Sequence, residues 1–467
     1  MYADDIVLLA RNPGELQLML DIITDYAREW RFEINPTKTK VVPFMESPGQ
    51  QATRESSPLG STWICGGKDI TTADHYVYLG VTLTPDLSFD RHVNTLKYHL
   101  AAQKREAILV GVRAGTLSVQ RAVYLWKQWV EPKYAYACGM WIQLRNPRAV
   151  GLINRYQAEG AAAILGIASD NPSITDPPRC VLLREVGLHP AHVLHALGLV
   201  RIYRLVRSRP RDSLLRQTWC VIESHRADQH PDSINTALRQ LKDAHPELDQ
   251  QLPPAENKLD WKQLANSIAK KEIARWTNDQ ITKSHRMSEY AGIATELRAR
   301  NHNPSCYPPY LTMDGLNKSE RRNIAIFRMQ CANYVHAHAG FKPSPLFQHP
   351  HLPFPERGCI SLHCRHRTDG LGNAPIDSTG HVLLDCPAHA EARAALMQAI
   401  DSALAACGLT RDHDVTTRTR LICLLLGSPP PHTQERLLGH PTAYRDILRA
   451  TARFIKSVHA TRWLQHA

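Results

Sequence analysis

Two adjacent carboxylates stand at the head of this chain, and an apolar run continues from them without a break. Met1-Tyr2-Ala3-Asp4-Asp5 leads straight into Ile6-Val7-Leu8-Leu9-Ala10, the pattern of a strand-turn-strand hairpin with the acidic pair on its turn. An Asp-Asp pair after an aromatic residue is by itself most often a solvated turn, because Asp bonds its own neighbouring backbone there. The downstream residues narrow the choice. Asn12-Pro13 has the form of an N-cap and a first-turn proline, and Leu16, Met19, Leu20, Ile23, Ala27 and Trp30 then recur at helical spacing. Phe32-Glu33-Ile34-Asn35 and Val41-Val42-Pro43-Phe44 read as two short strands around a turn carrying Lys38 and Lys40. Paired carboxylates on a rigid turn are also what two-metal phosphoryl transfer requires, since cations about 4 Å apart stabilise both the attacking and the leaving oxygen.

Through "YADDIVLLA", "LQLMLDIITDYAREWRFEINPTKTKVVPF" and "YVYLGVTLTPDLSFDRHV", in that order, the chain resembles the reverse transcriptases of non-LTR (LINE-like) retrotransposons. The resemblance implies RNA-templated DNA synthesis in the parent enzyme, with Asp4 and Asp5 holding catalytic Mg²⁺. It places a lysine near the incoming nucleotide's phosphates, here Lys38 rather than Lys40, and makes Tyr78-Leu79-Gly80 the element that positions the primer end. On its own residues that last block is equally an ordinary hairpin with a glycine turn. A complete palm of this family carries a further metal-binding Asp on an earlier strand, preceded by fingers. Only three residues precede Asp4, so the expectation is a polymerase-derived fragment, inactive alone. The alternative is a catalytically dead RNA- or DNA-binding protein.

The 56 Lys+Arg against 44 Asp+Glu give a formal net charge of +12, which favours polyanion contact. Residues 89–210 read as helical: Val119, Val123, Trp126 and Val130 share one face, and Asn154 to Leu165 continues at helical spacing. The family resemblance makes this a thumb, whose cations would lie along a nucleic-acid backbone. Candidates are Lys97, Lys104, Arg105, Arg113 and Arg121, each of which also reads as an ordinary solvated surface charge. Residues 211–316 hold Pro-, Asn- and charge-rich stretches that read as connections, with a helical composition from Trp261 to Arg300.

The last chemical block is Cys359-x4-Cys364, then His381-x4-Cys386. Three thiols and an imidazole are the donor set of a closed, structural zinc site. The resemblance is close at "STGHVLLDCP" and places a nucleic-acid-binding finger here. The sixteen residues between Cys364 and His381 exceed the usual spacing and include an insertion-like stretch from Asp369 to Pro375, while His363, His366 and His389 are competing ligands. Upstream, Arg321 and Arg322 begin a basic, apolar helix that resembles the one preceding the family's finger. Downstream, Leu396, Ile400 and Leu404 form one helical stripe and Ile447, Phe454, Ile455 and Val458 another. Arg445, Arg449, Arg453 and Lys456 make a basic face that reads first as solvated.

The expected fold is α+β and mostly α. It comprises a palm remnant over 1–88 (a small antiparallel sheet plus helix), a helical thumb over 89–210, a connecting region over 211–316 and a helical end over 317–467 with a zinc element at about 359–389. The expected partners are an RNA template and a DNA primer or target. No apolar run approaches the roughly 20 residues of a membrane span, and the acidic start is unlike a signal peptide. The expectation is an intracellular protein, cytoplasmic or nuclear and not secreted, with its 11 cysteines as reduced thiols or metal ligands.

Overall fold

The computed structural model describes residues 5–44, 63–142, 146–167, 178–224, 234–250, 252–254, 256–283, 287, 290, 293, 307–332, 335, 359, 364 and 375–464. It divides into two compact units, residues 1–99 and 100–467. The described residues are mostly helical with two small antiparallel sheets. No helix among them is long and apolar enough to cross a membrane.

In the first unit, α1 (Pro13–Glu29) starts as its sequence predicts: Asn12 Oδ1 accepts from Glu15 N at 2.9 Å, and Glu15 reaches back to Arg11 N. Leu20 packs with Trp63, Cys65 and Ile70 of β1 (Trp63–Cys65) and β2 (Lys68–Ile70), with Leu8, Leu16, Ile34 and Val41 at the rim. Gln17 fastens helix to strand. Its amide donates to Ile64 O at 2.9 Å and accepts from Ile64 N at 3.0 Å, pairing the edge as a neighbouring strand would. A second hairpin joins β3 (Tyr76–Tyr78) to β4 (Val81–Leu83). Its two-residue turn is Leu79-Gly80, with φ of 47° and 79°, the left-handed pair that matches strand twist.

Two expected features differ. Asp5 forms only an isolated bridge, and Ile6 to Ala10 run without strand assignment, Leu9 being 76% exposed. The stretches 32–35 and 41–44 are not strands either. Asn35 Oδ1 instead accepts from the backbone and hydroxyl of Thr37, and Val41 makes a lone parallel bridge to Thr72. Pro36 and Pro43 each remove a ladder donor, and the Asn side chain offers the backbone a competing turn.

The boundary between units falls within α2 (Asp90–Leu109). The second unit continues with α3 (Val119–Trp129), α4 (Glu131–Ala135), α5 (Cys138–Trp141), α6 (Pro147–Leu165), α7 (Arg179–Val186) and α8 (Ala191–Arg207). Val119, Val123, Trp126 and Val130 are buried, as their spacing predicts. Trp126 Nε1 donates to Gln157 Oε1 at 2.8 Å, and the Gln157 amide donates to Glu131 and to His189 O. Gly139 and Gly198 let α5 and α8 meet backbone to backbone, since a Cβ on Gly198 would lie 2.5 Å from Gly139 N.

Beyond residue 210 the described residues include further helices. These are α9 (Leu214–Ser224), α10 (Ile234–Ala244), α11 (Glu247–Gln250) and α12 (Lys258–Thr282). Trp219, Leu238, Leu241, Leu248, Trp261 and Ile268 pack with Leu199, Tyr203 and Val206 of α8 in one core. The Pro- and charge-rich stretch around Leu248 has the composition of a connection, yet it supplies a fully buried side chain. Its apolar residues are too sparse to form a stripe of their own.

The remaining described helices are α13 (Pro309–Thr312), α14 (Lys318–Arg328), α15 (Ala390–Ala405), α16 (Arg411–Asp414), α17 (Arg418–Leu425), α18 (Pro431–Gly439) and α19 (Pro441–Leu464). A capping box between Asn317 and Glu320 starts α14. The stripes Leu396/Ile400/Leu404 and Ile447/Phe454/Ile455/Val458 are buried. Under α14 lies a buried polar knot. Glu185 of α7 accepts from Arg328 Nε at 2.8 Å, Tyr290 OH at 3.0 Å and Tyr310 OH at 3.1 Å, while Arg328 Nη1 donates to Leu426 O and Ser428 Oγ.

Candidate metal centre

Cys359, Cys364, His381 and Cys386 converge on one point, all four buried, with their donor atoms within 4.8 Å of one another. The local chain explains how. His381–Asp385 form a single wide π-type turn, and Cys386 N closes it onto His381 O at 2.8 Å, which brings the two ends of His-x4-Cys together. Ser378 Oγ accepts from His381 N at 3.2 Å, and Cys359 N donates to Pro375 O at 2.8 Å, tying the first ligand to the segment before the turn.

The spacing of the donors fits a tetrahedral cation. With Zn–S near 2.3 Å and Zn–N near 2.05 Å, tetrahedral edges are about 3.8 Å between sulfurs and about 3.6 Å between sulfur and nitrogen. Cys359 Sγ and Cys364 Sγ each lie 3.8 Å from Cys386 Sγ, and Cys364 Sγ lies 3.5 Å from His381 Nε2. A disulfide would need about 2.05 Å, and all three thiols are free. The contact with Cys386 and burial raise the Cys359 thiol, and burial with the neighbouring Cys386 charge raises Cys364. Cys386, hydrogen-bonded to Cys359 and facing His381, is pulled well below the usual thiol range. Buried thiols this close oppose one another's ionisation; a divalent cation lets all three ionise.

A second ring of residues surrounds the ligands. Asp377 and Arg462 are both buried and pair through two bonds, and Arg462 Nη2 also faces Cys359 Sγ at 3.8 Å. Arg393 of α15 donates to Cys386 O. Neither arginine belongs to a sequence motif. Arg462 nonetheless carries a legible signal: it falls one turn beyond Val458 on the apolar stripe of α19, where a charge requires a buried partner. Of the competing histidines, His389 stands outside the group and packs edge-on against Phe454 at 6.2 Å. His363, His366 and the inserted stretch 369–374 lie outside the described residues.

The other expected site residues are not brought together in this way. Asp4 lies outside the described residues, and Asp5 is exposed. Among the described residues the cysteine–histidine group is the only one of three or more His, Cys, Asp or Glu that could hold a metal ion. Lys38 is exposed on the turn organised by Asn35, and Lys40 donates to Thr71 Oγ1 at 2.9 Å. Tyr78 ends β3, paired with Val81, and Leu79 and Gly80 form the turn of the second hairpin. Lys97, Arg105, Arg113 and Arg121 are exposed, whereas Lys104 pairs with Glu159 at 2.6 Å. Arg321 is half-buried and donates to Met313 O at 2.8 Å; Arg322 is half-buried too. The basic face of α19 splits. Arg449 bonds Gly315 O and Glu320, while Arg453 and Lys456 are exposed.

Part of the chain is similar to known proteins. Residues 1–83 match the family described as reverse transcriptase (RNA-dependent DNA polymerase). Over 142 residues, 29% of this chain, the sequence is 29% identical to the RNA-directed DNA polymerase from mobile element jockey of Drosophila funebris. The match spans 14% of that relative's length. No solved structure matches the chain. The two matches support the RNA-directed DNA polymerase family, and within it the LINE-like reverse transcriptases of mobile elements.

Proposed function

We propose that this chain is the C-terminal, nucleic-acid-binding part of a LINE-like reverse transcriptase, inactive as a polymerase alone, with a structural Zn²⁺ held by Cys359, Cys364, His381 and Cys386. The observation that carries the lineage is the match of residues 1–83 to the reverse transcriptase family. In this reading residues 1–88 are palm and 89–210 thumb. Asp4 and Asp5 are carboxylates of a two-metal centre, Lys38 lies near the nucleotide phosphates, and Tyr78-Leu79-Gly80 supports the primer end. Among the described residues no group of three or more candidate ligands includes Asp5, and no step of nucleotide transfer is derived through Mg²⁺. Zinc in a closed four-donor site leaves no open position for water, so its part is to fold the element rather than to catalyse. The working place is intracellular, with RNA template and DNA primer or target as partners.

The distribution of charge supports binding by the second unit. Residues 1–99 carry 9 Lys+Arg and 13 Asp+Glu, leaving 47 and 31 for residues 100–467. The first unit is therefore net acidic by 4 and the second net basic by 16. Backbone contacts by Lys and Arg release counterions and weaken steeply with salt.

Purified chain supplied with Mg²⁺, a primed RNA template and deoxynucleotides is expected to bind the nucleic acid in a salt-sensitive way without extending the primer. Templated extension would overturn inactivity, and loss of salt-sensitive binding would overturn the binding role. The same charge split favours a second reading, a dedicated RNA- or DNA-binding protein. Affinity that survives Asp4→Ala with Asp5→Ala but fails on Cys386→Ser would favour it.

A further inference from the structure

Arg462 is 2% exposed, deep on the apolar face of α19. A guanidinium in that position must be neutralised and hydrogen-bonded. Asp377, itself buried, does both, with Nη1 to Oδ2 at 2.6 Å and Nη2 to Oδ1 at 2.8 Å. The two-pronged pairing fixes the guanidinium plane. Nη2 carries a second hydrogen, and Cys359 Sγ lies 3.8 Å from that nitrogen.

We propose that Arg462 is an outer-sphere partner of the metal, its Nη2–H bonded to the Cys359 thiolate, so that metal retention is coupled to docking of the last turn of α19. This inference rests on the zinc reading above. A Zn²⁺ with three thiolates and one imidazole carries a net charge of −1. An N–H···S bond withdraws charge from sulfur, makes it a poorer target for protons and chelators, and orients it toward the metal. Asp377 is a positioning residue. It lies two residues beyond Pro375, whose carbonyl accepts from Cys359 N at 2.8 Å. Ligand, carboxylate and guanidinium thereby close one ring of contacts, and slackening any member loosens the first ligand.

The test monitors zinc release from the full chain, loaded with Zn²⁺ and mixed with excess chromogenic chelator. Arg462→Met alone would strand a buried carboxylate, so the main variant is the double change Asp377→Asn with Arg462→Met, which removes the pair together. Release is expected to be about 10- to 100-fold faster than in the parent, the usual cost of losing an outer-sphere partner. Arg462→Lys, which keeps the charge but not the planar fork, is expected to fall between. In Co²⁺-substituted protein the thiolate-to-metal band should move to lower energy while the tetrahedral visible bands remain. Release within about twofold of the parent, in either variant with parental far-UV dichroism, overturns the proposal. A parent that takes up no stoichiometric zinc overturns the metal reading instead.

Discussion

The acidic segment at Asp5 and the cluster around Cys386 both carry metal-ligating side chains, but only the second encloses them. At Cys386 a wide turn, a backbone bond to Pro375 and two arginines converge on four buried donors. At Asp5 the chain is exposed and makes one isolated bridge, and the apolar residues just after it are largely in solvent. Donor chemistry is therefore not what distinguishes them. A site needs its ligands fixed by neighbours that are fixed themselves, and among the described residues the apolar cluster that Leu8 borders holds only four buried side chains. Charge divides along the same line, since the net-acidic unit holds the polymerase-like segment and the net-basic unit holds the cluster.

Removing the metal is the largest test of that contrast. The parent is expected to hold one zinc per chain by elemental analysis, and Cys386→Ser to hold far less. Structural zinc sites contribute apparent binding energies on the order of 10 kcal/mol, so chelation should expose the segment around 359–389 to protease. Equal proteolysis with and without chelator would break the contrast. Next comes Arg328→Met. It strands Glu185, fully buried with only two tyrosine hydroxyls left to bond it, and should cost about 3–5 kcal/mol in denaturant unfolding. A cost under about 1 kcal/mol, the range of exposed pairs, would mean that the second unit is looser than its packing implies.

What the sequence disclosed depended on how local the cause was. The cap at Asn12, the stripes of α3, α15 and α19 and the turn at Leu79-Gly80 are set by residues a few positions apart, and they stand where the periodicity puts them. The residues of the cysteine group were legible as donor types in family order. Their convergence was not, because the long gap after Cys364 hides which pair meets which. The strands expected at 32–35 and 41–44 failed because Asn35 and two prolines outweigh a short apolar run. Leu248, in a stretch with the composition of a connection, joins a core with residues of α8, α9, α10 and α12, a partnership no local pattern records. Arg328 and Arg462 were legible as charges on apolar faces; Glu185 and Asp377, their partners 143 and 85 positions away, were not.

A drop in pH should act on the second unit more gradually. Burial, with the nearby Lys127 and Arg201 charges, lowers His189 to about 3, and burial also lowers His192 and His195 even though Glu272 opposes the shift at His192. These are bases with depressed folded values, so below about 6.5 the unfolded chain binds protons that the folded chain refuses. Stability is then full above about 6.5 and falls as pH drops below it, at His189 down to about 3 and by up to about 1.4 kcal/mol per pH unit, with His192 and His195 adding in the same direction. Urea midpoints of the parent against a His189→Asn, His192→Asn, His195→Asn variant, compared at pH 7.5 and 5, isolate this from acid loss of metal. Parallel pH dependence in the two proteins would refute it.

The smallest expected effect belongs to Asp5→Ala. An exposed carboxylate that joins no ligand group among the described residues should shift stability by no more than about 0.5 kcal/mol. Loss of one negative charge from the net-acidic unit should, if anything, slightly strengthen nucleic-acid binding, an effect that fades with salt. The matched change Cys386→Ser removes a thiol of similar size and should cost the metal and the order of its element. If Asp5→Ala instead destabilised the chain or weakened binding strongly, Asp5 would have partners in solution that its exposed position does not supply. The acidic segment would then be a built site, and the difference between the two regions would be one of occupancy rather than enclosure.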